Sequence, residues 1–405
     1  MSQSVSAEIQ GSQNWVVTSI REKLQNLPPL SSTCWIYRVP DKLKRTNEEA
    51  YTPRIVSIGP FHHGKEKLQA MEEHKLRYLD KFVKRMEDKA SLEDCVKVIE
   101  SREERIRDSF AERIDMSSEN FVLMILTDSA FIIELLLLHS HYDSIDDTDP
   151  ICKKPWLIDD VSRDLSLLEN QLPLFILEEL FNLAFGSNED IADSFLKISY
   201  KFFVGSENIN KFLEHTLNSG VQHFVDLLRI YYITQAPERR SRQQVEFPIS
   251  AIELLEAGIS FKKGKSKSLF GFEFKGGVLK MPYFKIDYRK ETLFRNLIAF
   301  EQCCHQSNSY ITDYVNFLAC LIKSTEDVWL LARKGIIEHR LGSHAEAANL
   351  IQNMCKETLV LGGKFYFAGL CEKLIVYCRT PNCFTTMRTI KSYCSCAVDL
   401  QISIG

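Results

Sequence analysis

A glycine-framed basic loop, a histidine pair on a proline–glycine corner, an acidic cluster and a late run of cysteines are where this chain could do chemistry. Gly258-Ile-Ser-Phe-Lys-Lys-Gly264-Lys265-Ser266 looks at first like a loop whose backbone amides cradle phosphate. Such a cradle needs four residues between its glycines, a strand before it and a helix after it. Here five residues intervene, and a helical pattern (AIELLEA) precedes a hairpin pattern. A helix C-cap at Gly258 leading into a basic surface loop is the better account. His62 and His63 stand on the Gly59–Pro60 corner. Adjacent side chains point apart, so the expectation is a turn whose imidazoles bond to backbone or water, with metal or general-base work the minor alternative.

His139, His141, Asp143, Asp146, Asp147 and Asp149 form a cluster of hard ligands. A calcium loop also needs a central glycine and a terminal bidentate glutamate, and neither is present, so a solvated acidic loop is expected. Cys303–Cys304–His305 with Cys371, Cys378, Cys383, Cys394 and Cys396 invites a zinc reading. Structural zinc usually uses Cys-x2–4-Cys knuckles, and the single-residue gap of Cys394-x-Cys396 is too tight. Asp128, Glu134 and Glu169 lie inside apolar sequence and should be partly buried, capping or bridging helices rather than reacting. No nucleophile elbow, zincin motif or dinucleotide fingerprint occurs. No catalytic, cofactor-binding or metal-binding residue is therefore assigned, and no cofactor is expected.

Composition narrows the class. A net charge of −4 and a pI near 6.2 leave no global positive field, so no nucleic-acid binding is predicted. The basic stretches Arg239–Arg240–Ser–Arg242 and Lys262–Lys263–Gly–Lys265–Ser–Lys267 lack the interleaved aromatics of single-strand binders and read as solvated loops. The start, MSQSVSAEIQGSQNW, has neither the basic nor the apolar region of a secretory signal. Nine of the 12 cysteines follow residue 300, and reduced thiols are expected. The apolar run 121–138 contains Asp128 and Glu134, which fits a buried core helix better than a membrane span.

The elements that must position these residues follow from periodicity and breakers. Pro28–Pro29 makes a connector, and residues 34–64 should be extended segments and turns, with Ile55–Ile58 the best short strand. Helical spacing starts at Lys65 and continues in charged form over 93–113, with the core helix over 119–139. A helix starting at Asp159–Asp160 should meet Pro173 at a kink or an abutment. Further helices are expected over 190–203 and 207–235, with 236–248 a polar connector. Phe270, Phe272 and Phe274, the Gly276–Gly277 turn and VLKMPYFKIDY predict a hairpin, with a third strand possible after Pro282. Helices resume over 291–304, 310–322, 325–333, 344–354 and 365–378.

Several segments in order resemble the plant domain-of-unknown-function 247 family: Ile36-Tyr-Arg-Val-Pro40, Val56-Ser-Ile-Gly-Pro60, His62, Gly64, and Met71–Glu72 with Lys75. Further matches are 114–137, DDVSRDLSLLENQLPLFILEELF (159–181), HFVDLLRIYYI (223–233), ISAIELLEAGISFK (249–262) and LFRNLIAFEQCC (293–304). The resemblance covers roughly residues 34–378. It implies a mainly helical fold with no settled biochemical activity and no site residues to carry over. Some relatives are implicated in self/non-self recognition during pollination, which implies protein recognition. Members commonly end in a transmembrane helix, whereas the tail YCRTPNCFTTMRTIKSYCSCAVDLQISIG holds Arg379, Arg388 and Lys391 and no span.

The expectation is thus a mainly α protein, a large helical globular domain with a small antiparallel β hairpin or sheet element near 268–288. Residues 1–33 are an N-terminal extension, 34–378 the family region and 379–405 an atypical tail. The leading functional reading is a plant recognition or scaffolding protein, not an enzyme, with unknown protein partners. It would be cytoplasmic or peripheral to a membrane, because this C-terminus does not support the membrane association usual in the family. Two alternatives stay open: an enzyme whose site assembles from distant acids and histidines such as His62, Glu72 and Glu169, and peripheral membrane attachment through the basic loops.

Overall fold

The computed structural model describes residues 15–25, 34–86, 89–140, 149–186, 194–216, 220–234, 236, 250–359 and 365–380. The chain divides into two units, Met1–Cys34 and Trp35–Gly405. In the first, residues 15–25 form helix α1, on which Trp15, Ile20 and Leu24 are exposed.

The second unit is mainly α and is built on two buried apolar clusters. The first cluster centres on α5 (Ser118–Ser140), which packs against α3 (Gln69–Met86), α4 (Leu92–Asp108), α7 (Leu174–Phe185) and α8 (Phe195–Val204). Helix α5 is apolar on nearly every side, as a helix surrounded by others must be. It is long and apolar enough to cross a membrane, yet 89% of its apolar window is buried by the other helices, so it is the core helix expected. Helices α3 and α4 are amphipathic, and α4 opens on a capping box between Ser91 and Asp94. Helix α6 (Pro155–Asp164) completes this half, with proline in its first turn, where a missing N–H costs nothing, and the short helix α2 (Asp41–Lys44) buries Leu43 in the second cluster.

The second cluster surrounds α12 (Tyr288–Cys304), which touches α6, α10 (Phe224–Ile233), α13 (Tyr310–Leu321) and α15 (His344–Met354). Around them lie α9 (Ile209–Thr216), α11 (Ala251–Glu256), α14 (Thr325–Arg333) and α16 (Ala368–Arg379). Ser250–Glu253 and Ser324–Asp327 supply two further capping boxes.

The β content is more mixed than an antiparallel element alone, with five strands in two sheets among the described residues. Strands β2 (Glu273–Lys275) and β3 (Val278–Met281) form the expected antiparallel hairpin, with Gly276 and Gly277 both at positive φ in its turn. The correction lies in its neighbours. Strand β1 (Ser260–Lys263) pairs with β3 in parallel. Strand β4 (Phe284–Ile286), beyond Pro282, leaves the hairpin to pair in parallel with β5 (Ile337–His339). Parallel pairing needs partners distant in sequence, which local alternation does not reveal.

Three other expectations change. Ile55–Ile58 is not a strand; its backbone bonds to side chains. The junction at Pro173 is neither a kink nor an abutment, because nine irregular residues, 165–173, separate α6 from α7. The helix expected over 207–235 is split into α9 and α10 around Gly220, which has φ +64°. Residues 141–148 of the acidic loop, most of the 236–248 connector and the tail from 381 lie outside the described residues.

Candidate functional site

The two apolar clusters share one polar seam, and the N-terminal extended segment is threaded through it. Ile36, Val56, Ile58 and Phe61 pack into the first cluster, while Val39, Leu43, Ala50 and Tyr51 pack into the second. A buried extended segment without strand partners must find other acceptors for its amides. Asp164, at the end of α6, accepts from the amides of Arg54, Ile55 and Val56 at 2.7–3.1 Å. Asn170 accepts from Ile58 N at 2.8 Å and donates to Val56 O at 3.0 Å. Asp128 of α5 accepts from Gly59 N at 2.8 Å. Glu169 accepts from Val39 N at 2.8 Å. The irregular stretch 165–173 is therefore a rack of side-chain acceptors. Gln171 holds itself there by donating to the carbonyls of Leu165 and Leu167, and it caps α10 by accepting from Phe224 N.

Gly59 is required at this crossing. Its φ is +69°, and a Cβ there would lie 2.6 Å from the Gln171 carbonyl oxygen.

The seam brings together His62 and Glu169, two of the three residues from which an assembled active site was imagined. His62 Nε2 lies 3.3 Å from Glu169 Oε2, a contact without hydrogen-bond alignment. Lys44 Nζ donates to both Glu169 oxygens at 3.0 and 2.9 Å. Lys65 Nζ sits 2.7 Å from His62 Nδ1. An ammonium has only protons to give, so His62 accepts at Nδ1 and carries its own proton on Nε2. Burial raises the Glu169 carboxyl, but the His62 ring, the Lys44 ammonium and the Val39 amide outweigh it and hold it down at about 2. Burial, with Lys65 beside it, lowers His62. A neutral imidazole whose lone pair is already taken, against a carboxylate fully engaged in bonds, is poorly set up as a general base. The main clefts of the molecule are lined by other residues. Glu72, the third residue, stands apart and accepts from Lys75 at 2.8 Å.

The remaining acids bridge helices. Lys75 of α3 is fully buried and donates to Asp128 of α5 at 2.7 Å. Arg85 of α3 grips Glu134 of α5 with two bonds, at 3.0 and 3.1 Å. Asp149, assigned to a solvated loop, is instead buried and accepts from Tyr78, Lys81, Ile151 N and Cys152 N. His63 is exposed. His139 is half-buried against Phe202. Cys303, Cys304 and His305 end α12, and His305 packs on Trp35 and Phe300. Among the described residues no group of three or more His, Cys, Asp or Glu side chains is placed to hold a metal. Gly258 follows α11 with φ +93°, as a helix C-cap requires, but Lys262 and Lys263 belong to strand β1 and not to a loop; they and Lys265 are exposed.

One feature was missed in the sequence. A cleft of about 380 Å³ opens where α6, α8, α10 and the start of α12 meet. It is lined by Arg163, Lys285, Arg289 and Lys290, with the single acid Asp287, and by Phe203, Tyr231 and Tyr232. The signal was Lys285-Ile-Asp-Tyr-Arg-Lys290, three cations in six residues, hidden by its role as a strand leading into a helix.

The family model described as plant protein of unknown function, DUF247, matches residues 36–400. A UPF0481 protein of Arabidopsis thaliana is 30% identical over 354 residues, covering 81% of this chain and 73% of that protein. A putative UPF0481 protein of the same plant is 24% identical over 446 residues, covering 84% of this chain and 82% of its own length. No solved structure matches.

Proposed function

The chain belongs to the plant domain-of-unknown-function 247 family, and on that premise we propose that it acts as a non-enzymatic recognition or scaffolding protein. One observation carries the reading. The buried carboxylates of the seam, Asp128, Asp164 and Glu169, are spent on backbone amides and lysines of the segment 39–75, and none of them lines the cleft of about 380 Å³. Groups held this way rigidify a surface and leave no proton free for transfer. A rigid frame suits a protein that presents surfaces to other proteins.

The test is a chemically crosslinked purification of the full chain from plant tissue, run beside His62→Gln. The expected outcome is a protein partner at constant ratio to the bait, recovered equally with both chains. The reading is overturned if no protein is recovered and the purified chain turns over a metabolite of the extract in a reaction that His62→Gln stops.

A further inference from the structure

We propose that the cleft between α6, α10 and the start of α12 binds a small organic anion, a phosphate monoester or carboxylate on an aromatic body. Nothing in the scaffold reading requires this site, and the inference stands independently of it. The volume of about 380 Å³ falls within the range of small-molecule sites, which are mostly apolar with a few convergent polar groups.

The polar groups here are cationic and incompletely satisfied. Arg163 is only 6% exposed. Its two terminal nitrogens are consumed by Asp164, Thr52 O and Glu49 O, but its Nε has no acceptor at all. A buried N–H without a partner is rare in a folded protein and marks a place where a ligand or water belongs. Lys285, on β4, is half-buried, and among the described residues its side chain makes no ion pair or hydrogen bond. Lys290 donates to the Tyr232 hydroxyl at 2.7 Å, and its ammonium stands over the Tyr232 ring rather than against a carboxylate. Only Arg289, which pairs with Asp159 at 2.7 Å, is neutralised at the rim. The acid of the cleft, Asp287, is occupied as the N-cap of α12, where it accepts from Lys290 N at 2.9 Å. Two ammonium groups without carboxylates therefore line a cavity that aromatic rings also line. An anion would pair with the lysines, and a planar body would lie on Phe203, Tyr231 and Tyr232.

The pattern selects for both halves of the ligand. Phosphate alone would forgo the aromatic rings, and a neutral aromatic would leave the cations unpaired. The test is titration calorimetry on the full chain with phenyl phosphate, phenol and inorganic phosphate as probes, repeated on Lys285→Glu. The Lys285 side chain makes no hydrogen bond or ion pair among the described residues, so its replacement reverses the local charge without removing one. Phenyl phosphate is expected to bind at least about tenfold more tightly than either fragment, and about tenfold more weakly to Lys285→Glu with unchanged thermal stability, each tenfold step being 1.4 kcal/mol. The proposal fails if phenol or inorganic phosphate binds as tightly as phenyl phosphate, if Lys285→Glu binds as well as the parent, or if phenyl phosphate shows no heat at about 10 mM, a level that still detects millimolar affinity.

Discussion

Glu169 shows how much one side chain can hold. It is fully buried, and it joins the extended segment at Val39, the helix α2 at Lys44 and the corner at His62. Breaking a buried pair costs more than forming it gains, because the surviving charge is stranded. Glu169→Gln should lower stability to chemical denaturation by about 3 kcal/mol, measured as a fall in midpoint at pH 7. The sign of its pH dependence is fixed by its depressed pKa. The folded carboxyl titrates near 2 and the unfolded one near its ordinary 4.5, so Glu169 contributes stability above 4.5 that is lost as pH falls toward 2. Glu169→Gln should flatten the parent's stability slope in that window; an unchanged slope would mean that the carboxylate is not held as described. Partial burial of this residue could be read from its apolar neighbours. Its partners could not, since Val39 and Lys44 lie more than a hundred residues upstream.

At the scale of elements, the extended segment 36–64 and the rack 165–173 behave as one unit made from two pieces of chain. Asp164 takes three successive amides that a strand partner would otherwise take. Asp164→Asn presents a single acceptor oxygen and puts an amide N–H2 where amides already point. Amide hydrogen exchange at Arg54, Ile55 and Val56 should accelerate by at least about tenfold, the equivalent of losing 1.4 kcal/mol of local protection, while α13 and α15 stay protected. Uniform acceleration across the molecule would show instead that Asp164 stabilises only the global fold. This unit is also where the sequence misled. Ile55–Ile58 reads as a strand because a strand and a side-chain-bonded extended segment have the same backbone and the same apolar composition. The helices were easier to place, because their hydrogen bonds are local and their caps stand at fixed offsets, as at Ser324 and Asp327.

Across the whole molecule, buried histidines and buried acids pull the response to acid in opposite directions. Burial pushes His223 down to about 3 and His305 down to about 4, each from an ordinary 6.5. Both are neutral in the fold, so the unfolded chain takes up protons first as pH falls below 6.5, and stability is lost through that window. Asp226 acts in the opposite sense. Burial raises it to about 6, so its folded form takes up a proton before the unfolded chain does. Burial raises Asp128, Glu134, Asp164, Glu178 and Glu301 in the same sense as Asp226, so the histidine contribution is read by difference. Between pH 7 and pH 4 the urea midpoint of the parent should lose more than that of His305→Phe does; parallel profiles would show that this histidine is hydrated in the fold.

What the sequence determined by itself is the family, the mainly helical class, most helix positions, the burial of Asp128, Glu134 and Glu169, and the rejection of a phosphate loop at Gly258. Each rests on spacing within a few residues, which is the range over which periodicity, caps and breakers act. Only the tertiary structure decided that the extended segment is held by side chains, that the small sheets pair in parallel, that His62 is closed in by Glu169 and Lys65, and that Arg163, Lys285 and Lys290 share a cleft. These depend on contacts between residues tens to hundreds of positions apart. Such contacts form because two apolar clusters must close over the same polar seam, and no local pattern records which residues meet there.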